Sequence, residues 1–565
     1  MRLQLPQIPK PQTDEERTKE GKMAEVNVVD EKRAETWVTD ENKTSVESGI
    51  WKKIGAKAWS VFLMSSAIYG MLFVIFGHLA IPGKENSFVF TIFIMCVWAY
   101  VLSMGFGAFL SPEVGMLLAG VITRSMKQYQ DLLSPEAFMS EQQYHLVRQV
   151  VWTILHVSLG VILFRVGMSL DLKVVWTRMW SVLVMALVPA CLVEAPVVAA
   201  VSYGLIGWPI KFGFLLGFIL AVSSPALVGN SLLHLNSKWD SFVNKEIYAT
   251  VVASIMPAQI LVSIAAVVPI LESSFSLQPN GLFAPYWPLM SLGTICIGVL
   301  FGFILFYLPS CETTCTTETT KTSKCKLYAL VVMAASILIM GEAKFMEEQN
   351  NIPVSITGSL AVVLFAAVLG RNSRSVDRTL KNWSTATWSC LQLPMFALMG
   401  YIALHVLVEG RQSWMNPDYF DETWRPYDEM LANRNVVSGG VAVAVISAGL
   451  VARLTSSCFI ARRSGFTIKE SLFIAISQIP KMSTMTFPCW VIWAMKSKEG
   501  VYDEVTSSIL KVSAIAVLFT VPLGVIATKC GGIWLLERCG AEPAPDDPKW
   551  NKENPEAKDT PPEKV

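Results

Sequence analysis

Long apolar blocks alternate with short polar connectors from residue 57 to residue 537. Most hold roughly 17–25 residues, about the length that carries a helix across ~30 Å of hydrocarbon. This pattern predicts about fourteen spans, at 57–82, 88–110, 112–123, 148–168, 176–203, 209–234, 247–271, 285–308, 326–341, 353–370, 388–409, 436–461, 468–496 and 507–537. The third is short and the last longer than one crossing needs. The expected fold class is therefore an all-α polytopic membrane protein. The tails, 1–56 and 538–565, are polar, and no signal-peptide core opens the chain; both are expected to be disordered.

Two spans have interrupted centres. The sixth reads FGFLLGFILAVSSPALVGNSLLHL, with Ser223, Ser224, Pro225, Gly229 and Asn230 at mid-membrane. The thirteenth reads ESLFIAISQIPKMSTMTFPCWVIWA, with Gln478, Pro480, Lys481 and Pro488. Proline removes a helical hydrogen bond and frees a carbonyl. In hydrocarbon, the freed groups must be buried in protein or line a cavity. The two spans are an odd number of crossings apart, so they cross in opposite directions. Such a pair points to a secondary transporter built from inverted repeats, here spans 2–7 and 9–14.

Charge then sets orientation. The most basic short connectors are RNSRSVDRTLKN (371–382), ARRSGFTIK (461–469) and the loop holding Lys321, Lys324 and Lys326. An even number of spans separates any two, so all three fall on one side, read as cytoplasmic, together with both termini. The segments 272–283 and 411–435 fall outside.

Inside the spans, four charges are not terminal: Arg165, Glu194, Arg453 and Lys481. A charge at mid-bilayer needs a partner or water. Glu194 and Arg453, one in each repeat, suit a carboxylate–guanidinium pair. Lys481 follows a helix-breaking proline and suits the negative helix end that the break creates. Arg165 lies near Asp171 and reads as structural; His156 and His405 read as core residues.

Composition narrows the function. Charged residues make up 16% of the 565 and the mean hydropathy is +0.45, whereas soluble chains carry about 25% charged residues. A net charge of +1 gives no basis for a nucleic-acid partner. The eleven cysteines form no disulfide framework. Cys311, Cys315 and Cys325 share a loop, but their spacing fits no standard zinc site, so acylation or plain thiols are expected there. No phosphate-binding glycine loop, HExxH motif or loop serine nucleophile is present, so no metal, cofactor or enzyme activity is expected.

The segments GMLLAGVITR (115–124), LFRVGMSLD (163–171), VEAPVVAA (193–200), LGFILAVSSPALV (216–228), VARLTSSCF (451–459) and SQIPK (477–481) stand in a family order and spacing. Through them the chain resembles the cation/proton antiporter superfamily, most closely the animal sodium/hydrogen exchanger 9B group, over about residues 57–537. The resemblance implies the Na⁺/H⁺ antiporter fold, a homodimer, and a core domain that moves against a dimerisation domain. It implies that Glu194 and Arg453 form a stabilising ion pair and that Pro480–Lys481 lie in the second crossing helix. It also implies one or two aspartates on span seven, where cation and proton compete for a carboxylate. That span reads VVASIMPAQILVSIAA (251–266), and Ala258 and Gln259 occupy the aspartate positions.

Three readings stay open. The first is a monovalent cation:proton antiporter using Glu194, Ser223, Ser224 and Gln259, with Arg453 and Lys481 in the ion pathway. The second is a proton-coupled anion transporter on the same fold, chloride being the example. The third is a transport-inactive regulatory or dimerisation partner. The membrane is either the plasma membrane or that of an organelle.

Overall fold

A computed structural model of the chain divides into two units, residues 1–80 and 81–565. It describes residues 88–109, 111–126, 141–170, 172–238, 246–255, 258, 283–307, 328–341, 355–370, 374–409, 437–481 and 501–536, with a few helical residues between 66 and 74. In the first unit, Met71 and Val74 are exposed helical residues. Both tails, the Cys311–Cys325 loop and the 411–435 segment lie outside the described residues.

The second unit is helical throughout its described elements. These are α1 (Phe88–Phe109), α2 (Pro112–Ser125), α3 (Glu141–Met168), α4 (Leu172–Thr177) and α5 (Met179–Leu187). A π-helical turn, Val188–Glu194, leads from α5 into α6 (Ala195–Ile206). Next come α7 (Ile210–Leu220), α8 (Pro225–Lys238) and α9 (Glu246–Ile255). Then follow α10 (Phe283–Tyr307), α11 (Tyr328–Gly341), α12 (Ser355–Leu369) and α13 (Arg374–Glu409). The last are α14 (Gly439–Arg463), α15 (Ile468–Ile476) and α16 (Val501–Gly531), closed by a second π turn, Gly532–Leu536.

Seven described helices are long and apolar enough to cross a membrane, and four shorter apolar helices accompany them. Large apolar side chains point outward on them and on α4: Trp176 on α4 and Trp180 are each 75% exposed, and Phe459 and Trp534 nearly as much. That surface suits lipid. One expected connector is corrected. Residues 374–382 are not a loop but the first turns of α13. They contain no Gly or Pro, so nothing ends the helix where the apolar stretch ends.

The helices form two groups. In one, α2 packs against α1 and α13, and α3 packs against α12 and α13. Gly120 and Gly400 let the backbones of α2 and α13 touch: a Cβ on Gly120 would strike the Ala397 carbonyl, and one on Gly400 the Leu117 carbonyl. In the other group, α6, α7, α14, α15 and α16 surround an apolar core that includes Val198, Leu216, Ile219, Ile446, Ile479 and Val512. The groups meet where α3 packs on α8 and where α13 and α2 pack on α16.

Candidate functional site

Proline and its polar neighbours explain both breaks. Pro225 takes the first position of α8, where a missing N–H removes no helical bond. Ser224 precedes it, and its hydroxyl oxygen accepts the Leu227 N–H at 3.5 Å. The second break follows α15 at residues 477–481. That helix starts with a capping box in which Thr467 and Glu470 bond each other's backbone N–H groups. By contrast, α13 runs through Pro394 and α16 through Pro522 without stopping.

The two breaks meet and satisfy each other. The Ser224 N–H donates to the Pro480 carbonyl at 2.8 Å, and the Ser223 hydroxyl to the Gln478 carbonyl at 2.9 Å. The irregular backbone is enclosed by protein, since most residues of the Ile210–Leu233 span are buried. That enclosure is what non-helical backbone at membrane depth requires.

Three buried charges stand at this junction. Glu194, at the end of the π turn, is 1% exposed; Arg453 on α14 is 2% exposed and Lys481 1%. Glu194 Oε2 lies 2.7 Å from Arg453 Nη1, and Glu194 Oε1 pairs with Lys481 Nζ. The π turn opens just before Pro189, whose ring displaces the normal helical bond. Arg453 Nη1 also donates to the Ala221 carbonyl and Lys481 Nζ to the Leu220 carbonyl. Both cations therefore cap the C-terminal end of α7, whose last carbonyls carry the negative end of the helix dipole. The helix end that Lys481 serves thus belongs to the first interrupted span, not to its own. Arg453 Nε donates to Gln478 Oε1 at 3.2 Å, and the Ser457 hydroxyl donates to the same oxygen at 3.1 Å. The Lys481 N–H donates to Thr520 Oγ1 at 3.1 Å. One carboxylate faces two cations, so the cluster carries one surplus positive charge.

Ala258 is one of the two positions at which the sequence resemblance implies an acid. It is buried against Ala186, Ala190, Ala221 and Val222, so an apolar plug seals the first break at that point. Pro257 and Gln259 lie outside the described residues. Arg165 is partly buried on α3, near Tyr248, whose hydroxyl donates to the Val166 carbonyl at 3.2 Å; Asp171 lies outside the described residues. His156 Nδ1 bonds the Trp152 carbonyl at 2.8 Å, and His405 stacks on Tyr401 with centroids 6.4 Å apart. Among the described residues no group of three His, Cys, Asp or Glu could hold a metal.

Thr520 and Glu113 are not among the residues the sequence singles out, Glu113 because it opens a span. Glu113 is buried in the first turn of α2. Its Oε1 accepts from Asn230 Nδ2 on α8 at 2.7 Å, and its Oε2 from the Ser111 hydroxyl. The SPEVG motif, opening an apolar span too short to reach both membrane faces, was the available signal.

Two interrupted helices whose breaks interlock around buried charge define a secondary transporter. Comparison with known proteins narrows the class. The model of the transmembrane sodium/hydrogen exchanger family matches residues 147–530. Sodium/hydrogen exchanger 9B1 of Homo sapiens is 24% identical over 489 residues, covering 83% of this chain and 82% of its own. Sodium/hydrogen exchanger 9B2 of Xenopus tropicalis is 24% identical over 429 residues, covering 75% and 69%. The solved sodium proton antiporter MjNhaP1 of Methanocaldococcus jannaschii shares the fold, with a TM-score of 0.53 at 14% identity, covering 80% of this chain and 99% of its own. The chain belongs to the sodium/hydrogen exchanger family.

Proposed function

We propose that this chain exchanges a monovalent cation for protons by alternating access, using Glu194 and Lys481 where relatives with a site aspartate would use that acid. The supporting observation is the pairing of Lys481 Nζ with Glu194 Oε1 at the junction of the breaks, beside an acid position filled by Ala258. A hard cation seeks anionic oxygen. On entry it competes with Lys481 for Glu194 Oε1. The displaced ammonium releases one proton, so one charge enters as one leaves. Arg453 holds the other carboxylate oxygen throughout, and Ser223, Ser224 and Gln259 supply neutral oxygens. The working unit is a homodimer with both termini on the cytoplasmic side.

The surplus positive charge supports a second reading, an anion such as chloride moving with a proton. The N-terminal end of α8, at the same break, suits an anion as well. One experiment separates the two. Purified protein is reconstituted in liposomes with an internal pH dye, and Na⁺, Li⁺, K⁺ and Cl⁻ gradients are imposed in turn. Proton flux with Na⁺ or Li⁺ that falls in Glu194→Gln and is lost in Lys481→Gln supports exchange. Flux with Cl⁻ alone, lost in Arg453→Ala, supports the anion reading. No flux from folded, dimeric protein rejects both and leaves a regulatory or structural partner.

A further inference from the structure

Outside the buried cluster, Arg178 binds three segments of the chain together. It stands between α4 and α5, at the position before the first turn of α5. Its Nη1 donates to the Ser464 carbonyl at 2.9 Å, and its Nη2 pairs with Glu246 Oε2 at 2.8 Å. The guanidinium carbon lies 5.6 Å from the centre of the Phe466 ring.

The corner that Arg178 grips is rigid. The Phe466 N–H donates to the Ala461 carbonyl at 3.3 Å and the Gly465 N–H to the Arg462 carbonyl at 3.2 Å. Those two bonds close α14 in a Schellman motif, and Gly465 supplies its left-handed residue at φ 94°. Arg462 Nη1 donates to the Phe466 carbonyl at 3.0 Å, and the capping box of α15 begins at Thr467. The Ser464 carbonyl lies at the negative end of α14, which suits a guanidinium. An isolated ion pair between side chains 35% and 41% exposed would hold little. Here one planar fork meets a carbonyl, a carboxylate and a ring at once, and that fixes its direction.

Every segment joined at Arg178 leads to the buried cluster. From it α5 runs into the π turn that ends at Glu194. The corner joins α14, which carries Arg453, to α15, which leads to Lys481. Glu246 opens α9, the start of the span that holds Ala258. At 1.5 Å per residue, the charges stand about 15–25 Å from Arg178 along α5 and α14. We propose that Arg178 is a positioning residue: a brace that sets the axial register of α5, α9 and the α14–α15 corner, and so holds Glu194, Arg453 and Lys481 in bonding geometry. Its part in transport rests on the exchange reading above; the mechanical link does not.

The test is hydrogen exchange by mass spectrometry on the full chain in nanodiscs. In Arg178→Ala, protection falls about tenfold in peptides covering 188–200, which Arg178 does not touch. Arg463→Ala removes an exposed cation from the same corner and leaves that protection at the wild-type value. Loss confined to 172–178 and 464–468 in Arg178→Ala, or an equal loss at 188–200 in Arg463→Ala, overturns the brace. Should Arg178→Ala fail to fold, Glu246→Ala, which cuts one arm of the fork, decides by the same criterion at 188–200. In liposomes, Arg178→Ala raises the half-saturating cation concentration about tenfold, as a misplaced site would; an unchanged value overturns the positioning role. Absence of flux in the wild type would reject the exchange reading and leave the hydrogen-exchange result to decide the brace.

Discussion

Glu194→Gln is the sharpest probe of the buried cluster. The substitution keeps the shape of the side chain and removes its charge. In the native site one carboxylate offsets two cations; in the variant two cations face each other with carbonyls and amides alone. All three side chains are at most 2% exposed, so water does not screen the change. Breaking a buried pair by removing one partner destabilises by about 3–5 kcal/mol. Lys481→Gln leaves the Glu194–Arg453 pair in place and neutral, and loses the ammonium's bond to Leu220 O, so it destabilises by about 1–3 kcal/mol. The double variant Glu194→Gln/Lys481→Gln restores the native net charge. It should be more stable than Glu194→Gln alone, by about 1–3 kcal/mol. The assay is the fraction of monodisperse protein after graded heating in detergent, followed by size-exclusion chromatography. The expected order is wild type, Lys481→Gln, the double variant, then Glu194→Gln. A Glu194→Gln protein as heat-resistant as the wild type, or a double variant worse than both singles, would refute a charge cluster held together by Glu194.

Other expectations follow from single contacts. Ala258→Asp places an acid in the apolar plug beside Ala221, a carbonyl partner of Arg453; it should raise Na⁺- or Li⁺-dependent proton flux in liposomes, as should Gln259→Asp, and unchanged flux in both would displace the acid position assigned here. Gly400→Ala drives a methyl group into the Leu117 carbonyl, so the yield of folded protein should collapse, whereas Gly105→Ala, with no atom within 4 Å, should express normally. Thr520→Val strips the acceptor from the Lys481 N–H; an unsatisfied buried donor costs about 1–3 kcal/mol, visible as a lower melting temperature by intrinsic fluorescence.

How much of this was legible in the chain depended on how local each rule is. The breaks at Pro225 and Pro480 were legible because proline disrupts its own helix and polar neighbours stand ready to absorb the freed groups. Pro394 and Pro522 lie within continuous helices, so proline alone does not make a break. The pairing of Glu194 with Arg453 was legible because opposite charges deep in apolar sequence have few alternatives. The capping of α7 by Lys481 was not, since it depends on how the two breaks interlock. Nor was the burial of Glu113: it opens a span, and only the tertiary fold brings Asn230 of α8 to its carboxylate. The reach of α13 back to Arg374 was missed because its charged turns read as a connector, although nothing in them stops a helix.

The surplus charge at the junction has an electrical consequence. Arg453 and Lys481 are bound to α14 and to the second break, so their charge travels wherever those segments travel. A unit charge crossing the full membrane field gains or loses about 2.3 kcal/mol per 100 mV. Any displacement of the empty core along the membrane normal therefore does electrical work. In the exchange proposed above, with one more cation than carboxylate in the described cluster, voltage biases the unloaded carrier toward the negative face, and membrane potential alone shifts which side the site awaits its ion.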